Sequence, residues 1–146
     1  MKTRRRTRAR ASVVPTESAE QASVIQWWVA YARTKGLDER LLFSVPNGSV
    51  LAGDARRRGI QMARLKREGL RPGVPDLMLA RPKYSGLPGA STGLFAGLFV
   101  EMKRRGGKPS KHQVEYADLL RRSGYNVVIA QGFDEAVRAI RAYIMI

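Results

Sequence analysis

Apolar residues along this chain recur at helical spacing in some stretches and at strand spacing in others, and the order of the two periods leaves few folds open. Helical patterns cover residues 17–35, 54–68, 110–123 and 133–143, and strand-like apolar runs cover 41–45, 75–80, 97–103 and 125–130. The order is helix, strand, helix, strand, strand, helix, strand, helix. That alternation predicts an α/β domain with one mixed β-sheet and helices on both faces. At 146 residues, 44% of them hydrophobic, the chain suits one domain with one continuous core. No internal repeat is present.

The punctuation agrees with the periods. In the first helix Val24, Ile25, Trp28 and Ala32, with Trp27 and Tyr31 one position off, form a wide apolar stripe. The tryptophans read as core rather than as a stacking platform. Thr16 or Ser18 is the expected cap, Ser18 and Gln21 having capping-box spacing, and Gly36 is the stop. Pro46, Asn47 and Gly48 are strong turn residues, and Gly69 and Gly124 stop the second and third helices. Gly86, Pro88, Gly89 and Gly93 mark the segment between the two middle strands as a flexible hairpin loop.

Residues 1–15 lack periodicity and read as a basic arm, leaving residues 16–146 as the domain. No apolar run is long enough for a bilayer, and the Arg-rich start lacks the apolar core of a secretory signal. With no cysteine there is neither a disulfide framework nor a Cys-ligated zinc site. The single histidine, His112, without a nucleophile elbow, argues against a Ser/His/Asp hydrolase. Gly106-Gly107-Lys108 lacks the upstream glycine and the following hydroxyl of a phosphate loop.

The formal charge is +15, and +9 remains without the six cations of the first ten residues. A surface this basic attracts polyanions and gains affinity by releasing counterions from phosphates, so nucleic acid is the expected partner.

The chemistry sits in the two middle strands. If they pair as an antiparallel hairpin with Ala80 opposite Gly97, Asp76 falls opposite Glu101, and directly opposed residues share a face with Cα atoms roughly 5 Å apart. Two carboxylates so close repel unless a cation lies between them, and an oxygen-rich site without Cys or paired His favours Mg2+ or Mn2+. Lys103, two residues beyond Glu101, shares that face, and Met102 points to the opposite, apolar one. An ammonium there can orient or activate water or stabilise a phosphoryl group, and the Met102 carbonyl can add a metal ligand. The plain alternative is an exposed strand edge that merely carries Glu101 and Lys103.

The segments GVPDLMLA, LFVEMKRRGGKPSKHQ and LLRRSGYNVVIA resemble the VRR-NUC (virus-type replication-repair nuclease) branch of the PD-(D/E)XK nuclease superfamily. The resemblance implies a restriction-endonuclease-like core in which Asp76 and Glu101 bind the metal and Lys103 serves the attacking water. It also implies an acidic ligand on the first helix. Glu17 and Glu20 both qualify, and Glu17 is favoured because the family often has a Gln four residues later, where Gln21 stands. Gln113 matches the family's glutamine after the E-x-K strand, although with Ser110 it also forms a capping box. Asn47 lies in a turn that resembles one near the family's substrate. Arg104, Arg105, Lys108 and Lys111, with Arg56, Arg57 and Arg64 on the second helix, are candidate phosphate contacts or plain solvated surface. The resemblance further implies a homodimer acting on DNA, possibly branched, in the cytoplasm of a bacterial or phage-infected cell. A non-catalytic nucleic-acid binder, with the acids and Lys103 as a structural cluster, and an RNA nuclease are the rival readings.

Overall fold

The computed structural model describes residues 14–46, 53–84 and 93–145. The basic arm up to residue 13, the turn residues Asn47 and Gly48, and Gly86, Pro88 and Gly89 lie outside them. Helix α1 spans Glu17–Thr34, a 3-10 turn spans Glu39–Leu41, and strand β1 spans Leu42–Ser44. Helix α2 (Ala55–Arg67) is followed by β2 (Leu77–Leu79), β3 (Lys83–Tyr84), β4 (Gly93–Phe95) and β5 (Leu98–Lys103). Helix α3 (Lys111–Arg122), β6 (Asn126–Gln131) and α4 (Phe133–Ile144) complete the order. All eight expected elements form.

One choice left open by the sequence is decided here, and one detail differs from expectation. Thr16, not Ser18, caps α1, because its hydroxyl accepts the Ala19 N–H at 3.2 Å; Ser18 is already inside the helix. The glycine-rich segment is not all loop, since β3 and β4 pair within it as a separate two-stranded ribbon. Its anchor is long-range and invisible to local pattern: the Tyr143 hydroxyl of α4 donates to the Arg81 carbonyl at 2.8 Å. Gly36, Gly69 and Gly124 each follow a helix cap with φ of 63°, 108° and 86°, the left-handed conformation for which glycine carries no Cβ penalty.

The main sheet has the order β1-β2-β5-β6, antiparallel except for the parallel pair β5 and β6. Alternation along these strands divides the molecule in two. Leu98, Val100 and Met102 of β5, Leu77 and Leu79 of β2 and Leu42 of β1 face α1 and α4, where they are buried with Val24, Trp28, Ala32, Ala136, Ile140 and Tyr143. Phe99, Glu101 and Lys103 face the other way, and α3 packs on that side, over β6, with Ala117 and Val127 buried. Helices therefore lie on both faces.

Trp28 is the largest fully buried side chain, and its Nε1 donates to the Glu39 carbonyl at 2.7 Å, tying α1 to the turn that leads into β1. Trp27 instead stacks on Tyr31 with ring centroids 4.7 Å apart. Trp28→Ala is expected to lower unfolding free energy by about 3–5 kcal/mol, because it opens a cavity and strands a carbonyl. Urea denaturation checks it; a change below about 1 kcal/mol would show that Trp28 is not the pin of α1.

Candidate active site

Strand β2 runs against β5 with Leu77 opposite Val100 and Leu79 opposite Leu98. Continuing that register places Asp76 opposite Glu101, as the sequence reading expects. It also places Pro75 opposite Met102, where the ladder would need an N–H from β2. Proline has none to give. The Asp76 carboxylate instead meets the donor of β5, its Oδ2 accepting the Met102 N–H at 2.8 Å, and the Asp76 carbonyl accepts from the Val45 N–H at 2.8 Å on the other side. The Pro-Asp pair thus ends the β2 ladder and turns a carboxylate onto β5. Because N–H and C=O of one strand residue point to the same side, the Met102 carbonyl also points toward Asp76 and away from β6.

Glu101 is 2% exposed, unlike the edge position considered above. Its Oε1 accepts from the Lys103 Nζ at 2.6 Å and from Gln113 Nε2, while its Oε2 is buried without a hydrogen-bond partner. Gln113 caps its helix and also reaches Glu101. Its Oε1 accepts the Ser110 N–H at 2.8 Å in a complete capping box, which leaves Nε2 for Glu101. The first turn of α3 is held in place by Gly73, with φ of 88°, where any Cβ would run into the His112 carbonyl.

Burial is the largest influence on both acids and raises their pKa values above the ordinary range. For Asp76 the Met102 N–H and Lys103 oppose the shift and Glu17 adds to it; for Glu101 the Lys103 hydrogen bond opposes it and Asp76 and Glu17 add to it. Lys103 pairs with Glu101 and offsets one of two negative charges. The remaining charge and the orphaned Oε2 describe a place for a cation.

The two first-helix acids have different positions. Glu17 Oε1 accepts the Arg104 N–H at 3.1 Å, just beyond the end of β5, and its charge is felt by both Asp76 and Glu101. Glu20 is spent elsewhere: its Oε2 accepts the Phe133 N–H at 2.8 Å and so caps α4, whose preceding residue, Gly132, offers no side chain for the purpose. Of the two, Glu17 is the one beside the carboxylate pair, and Glu20 as a metal-ligand candidate is set aside. Among the described residues no three His, Cys, Asp or Glu side chains converge as a ready-made cage. The site is two carboxylates, the Met102 carbonyl and a nearby third acid, which suits a magnesium-like ion that keeps several waters.

The expected basic residues divide by position. Arg104, Arg105 and Lys108 are exposed in the loop leaving β5, close to the carboxylates. Sequence reasoning missed what holds that loop: Gln131 of β6, opposite Lys103, accepts the Gly106 N–H at 3.0 Å through its side chain. No local signal marks Gln131. Lys111 is exposed and 3.8 Å from Glu115, and His112 is an exposed helix residue 3.8 Å from the same acid. Arg56 and Arg57 are exposed on α2, and Arg64 pairs with Glu68 at 2.7 Å. Leu65 at the C-terminal end of α2, with Leu70 beyond it, borders a pocket of about 350 Å³ shared with Val45, just past β1, and Val74.

A four-stranded mixed sheet that brings a Pro-Asp carboxylate, a buried glutamate and a lysine to one strand end defines a protein of the PD-(D/E)XK class. The chain belongs to the VRR-NUC domain family, a nuclease family whose profile matches residues 6–134. It is similar in fold to a solved "VRR_NUC domain protein", with a TM-score of 0.68 and 24% identity over 90% of this chain and 89% of that one. Among curated protein sequences none matches it. No helix among the described residues is long and apolar enough to cross a membrane.

Two outcomes are expected from this geometry. Glu20→Ala should cost about 1–2 kcal/mol of stability, the worth of a helix cap, in urea denaturation, and Glu17→Ala should leave stability nearly unchanged but weaken Mn2+ binding in calorimetry. The reverse pattern would mean that the two acids have been exchanged. The raised carboxylate pKa values mean that the folded state holds protons that the unfolded state has already lost. Their contribution to stability is full below the ordinary carboxylate range and fades as pH rises through the raised values. In EDTA, melting temperature should therefore carry a contribution that falls as pH rises above the ordinary carboxylate range. Mg2+ should restore more of it at the higher pH, since cation and proton compete for the same oxygens. Asp76→Asn with Glu101→Gln should remove both the fall and the Mg2+ effect; persistence of either places its origin elsewhere.

Proposed function

We propose that this protein is a metal-dependent endonuclease that hydrolyses DNA phosphodiester bonds, selective for DNA structure and suited to branched or junction substrates in replication, repair or recombination. The observation that carries the reading is the buried, unpartnered Glu101 Oε2 beside Asp76, with Lys103 on the same face. A divalent cation, Mg2+ or Mn2+, fits the hard oxygen donors present, and when bound it supplies Lewis-acid activation of water and neutralises developing phosphoryl charge. Asp76, Glu101 and the Met102 carbonyl would hold it, with Glu17 adding charge from the side.

The chain's own groups do the rest. Lys103, fixed on Glu101 by its ammonium, stands ready to orient a water or stabilise a phosphoryl oxygen. Gln113 keeps the Glu101 carboxylate from rotating. Arg104, Arg105 and Lys108 at the mouth, with Lys111 beside them, would hold phosphates and position the strand without reading bases, and Arg56, Arg57 and Arg64 would do so from α2. Asn47, which follows β1 in the chain, is proposed as a further substrate contact. A homodimer would place two such sites on a branched substrate, and the cytoplasm of a bacterial or phage-infected cell is the proposed setting.

The Lys103–Glu101 ion pair also suits the rival reading of a non-catalytic binder. Cleavage separates the two. With linear, flapped and four-way DNA, activity should appear with Mg2+ or Mn2+, vanish in EDTA, and favour the flapped or four-way forms. Asp76→Ala and Glu101→Ala should each reduce it to background while retaining most DNA affinity, because the phosphate-holding cations remain. Undiminished turnover in either variant would remove the proposed mechanism, and cleavage of RNA in place of DNA would reassign the substrate.

A further inference from the structure

The sheet face that carries Asp76 and Glu101 does not end with them. One row away on the same face, Phe43, Met78 and Phe99 stand side by side across β1, β2 and β5, by the registers Phe43 opposite Met78 and Met78 opposite Phe99. Among the described residues, helix α3 packs on this face over β6 and reaches β5 through Gln113 at Glu101. Phe43 is 46% exposed, and Met78 and Phe99 are half-buried. The surface is shaped locally: Gly97 has no side chain, and a Cβ there would come within 2.7 Å of Met78 Cε, so the glycine leaves Met78 room to lie flat. Tyr125 braces Phe99 edge to face, with ring centroids 5.3 Å apart.

An open aromatic in a row with Met78 and Phe99, beside two desolvated carboxylates, is suited to a flat apolar ligand. Diagonal neighbours in adjacent strands lie about 7–8 Å apart, so Phe43 is about one step of an extended nucleotide chain from Asp76. The surroundings are cationic on both sides. Arg104, Arg105 and Lys108 leave the end of β5, and the C-terminal end of arginine-rich α2 borders a pocket with Val45 and Pro46, just past β1. An apolar shelf between phosphate-attracting flanks matches a nucleotide, whose base is flat and apolar and whose backbone is anionic.

We infer that Phe43, supported by Met78 and Phe99, forms a stacking subsite for an unpaired base next to the phosphate held at Asp76 and Glu101. A base inside a duplex cannot lie flat on this shelf, so the subsite takes a single-stranded or extruded nucleotide. It gives the structure selectivity of the proposed nuclease a physical source, and it rests on that reading for the position of the phosphate.

The test is binding in EDTA, where no cleavage occurs, of a single-stranded deoxyoligonucleotide carrying 2-aminopurine and of a fully paired duplex of the same sequence. The wild-type chain should quench the 2-aminopurine of the single strand. Phe43→Leu, which keeps bulk and apolarity but loses the ring, should abolish the quench and lower the ratio of single-strand to duplex affinity about tenfold. Phe43→Trp should restore both. An unchanged ratio and quench in Phe43→Leu would overturn the inference even if the protein cleaves DNA. The expected Phe43 dependence in a protein that cleaves nothing would sustain the subsite and sink the nuclease reading instead. Sedimentation of the free protein is the remaining control: a dimer that Phe43→Leu dissociates would assign the shelf to a second copy of this chain and overturn the inference.

Discussion

The hydrogen bond from the Met102 N–H to the Asp76 carboxylate sets the geometry on which the rest of this molecule depends. The β2 ladder stops at Pro75, which has no N–H to give to β5, and the side chain of the next residue accepts the Met102 N–H there. That contact brings a second acid to a strand whose own acid is already buried. The resulting crowding, and not any single residue, is what carries the proposed cation site. Lys103 and Gln113 converge on the same oxygen of Glu101, leaving the other without a partner, so the polar network is incomplete by one charge and one hydrogen bond. An incomplete buried network is costly in a folded protein unless a ligand completes it.

The helices serve this strand end from both sides. Helix α1 contributes two acids from neighbouring turns, of which Glu17 lies beside the carboxylate pair and Glu20 crosses to close the start of α4. Packing of α1 and α4 against the apolar face is thus coupled to the position of an acid on the polar edge. On the other face, Gly73 lets the loop before Asp76 press against the first turn of α3, which carries Gln113. The basic loop from Arg104 to Lys108 is held by Gln131, so the cations closest to the site are attached to β6 as well as to β5.

Much of this was legible in the chain itself. The eight elements and their order follow from periodicity, and the pairing of Asp76 with Glu101 follows from counting residues across the glycine-rich segment. The family was legible as a resemblance, carried by the segments around Asp76, Glu101, Lys103 and Gln113. Other features were not legible, for a common reason. Ser18 and Thr16 are equal candidates for a cap until the geometry of the helix start selects one. The ribbon of β3 and β4 is too short for a periodic signal and depends on Tyr143, far away in the chain. Gln131 and Phe43 look like ordinary strand residues, and their significance comes from what lies across the sheet.

Local pattern and register, both consequences of fixed backbone periods, settled the secondary structure, the α/β class and the meeting of two acids with a lysine. Burial was settled elsewhere, because it depends on which helix covers which part of which face. Only the packed molecule could show Glu101 to be desolvated, one of its oxygens to be unpartnered, Glu20 to be spent as a cap and Phe43 to be left open. Each of these is decided by atoms that are distant in the chain, and no window of neighbouring residues contains them.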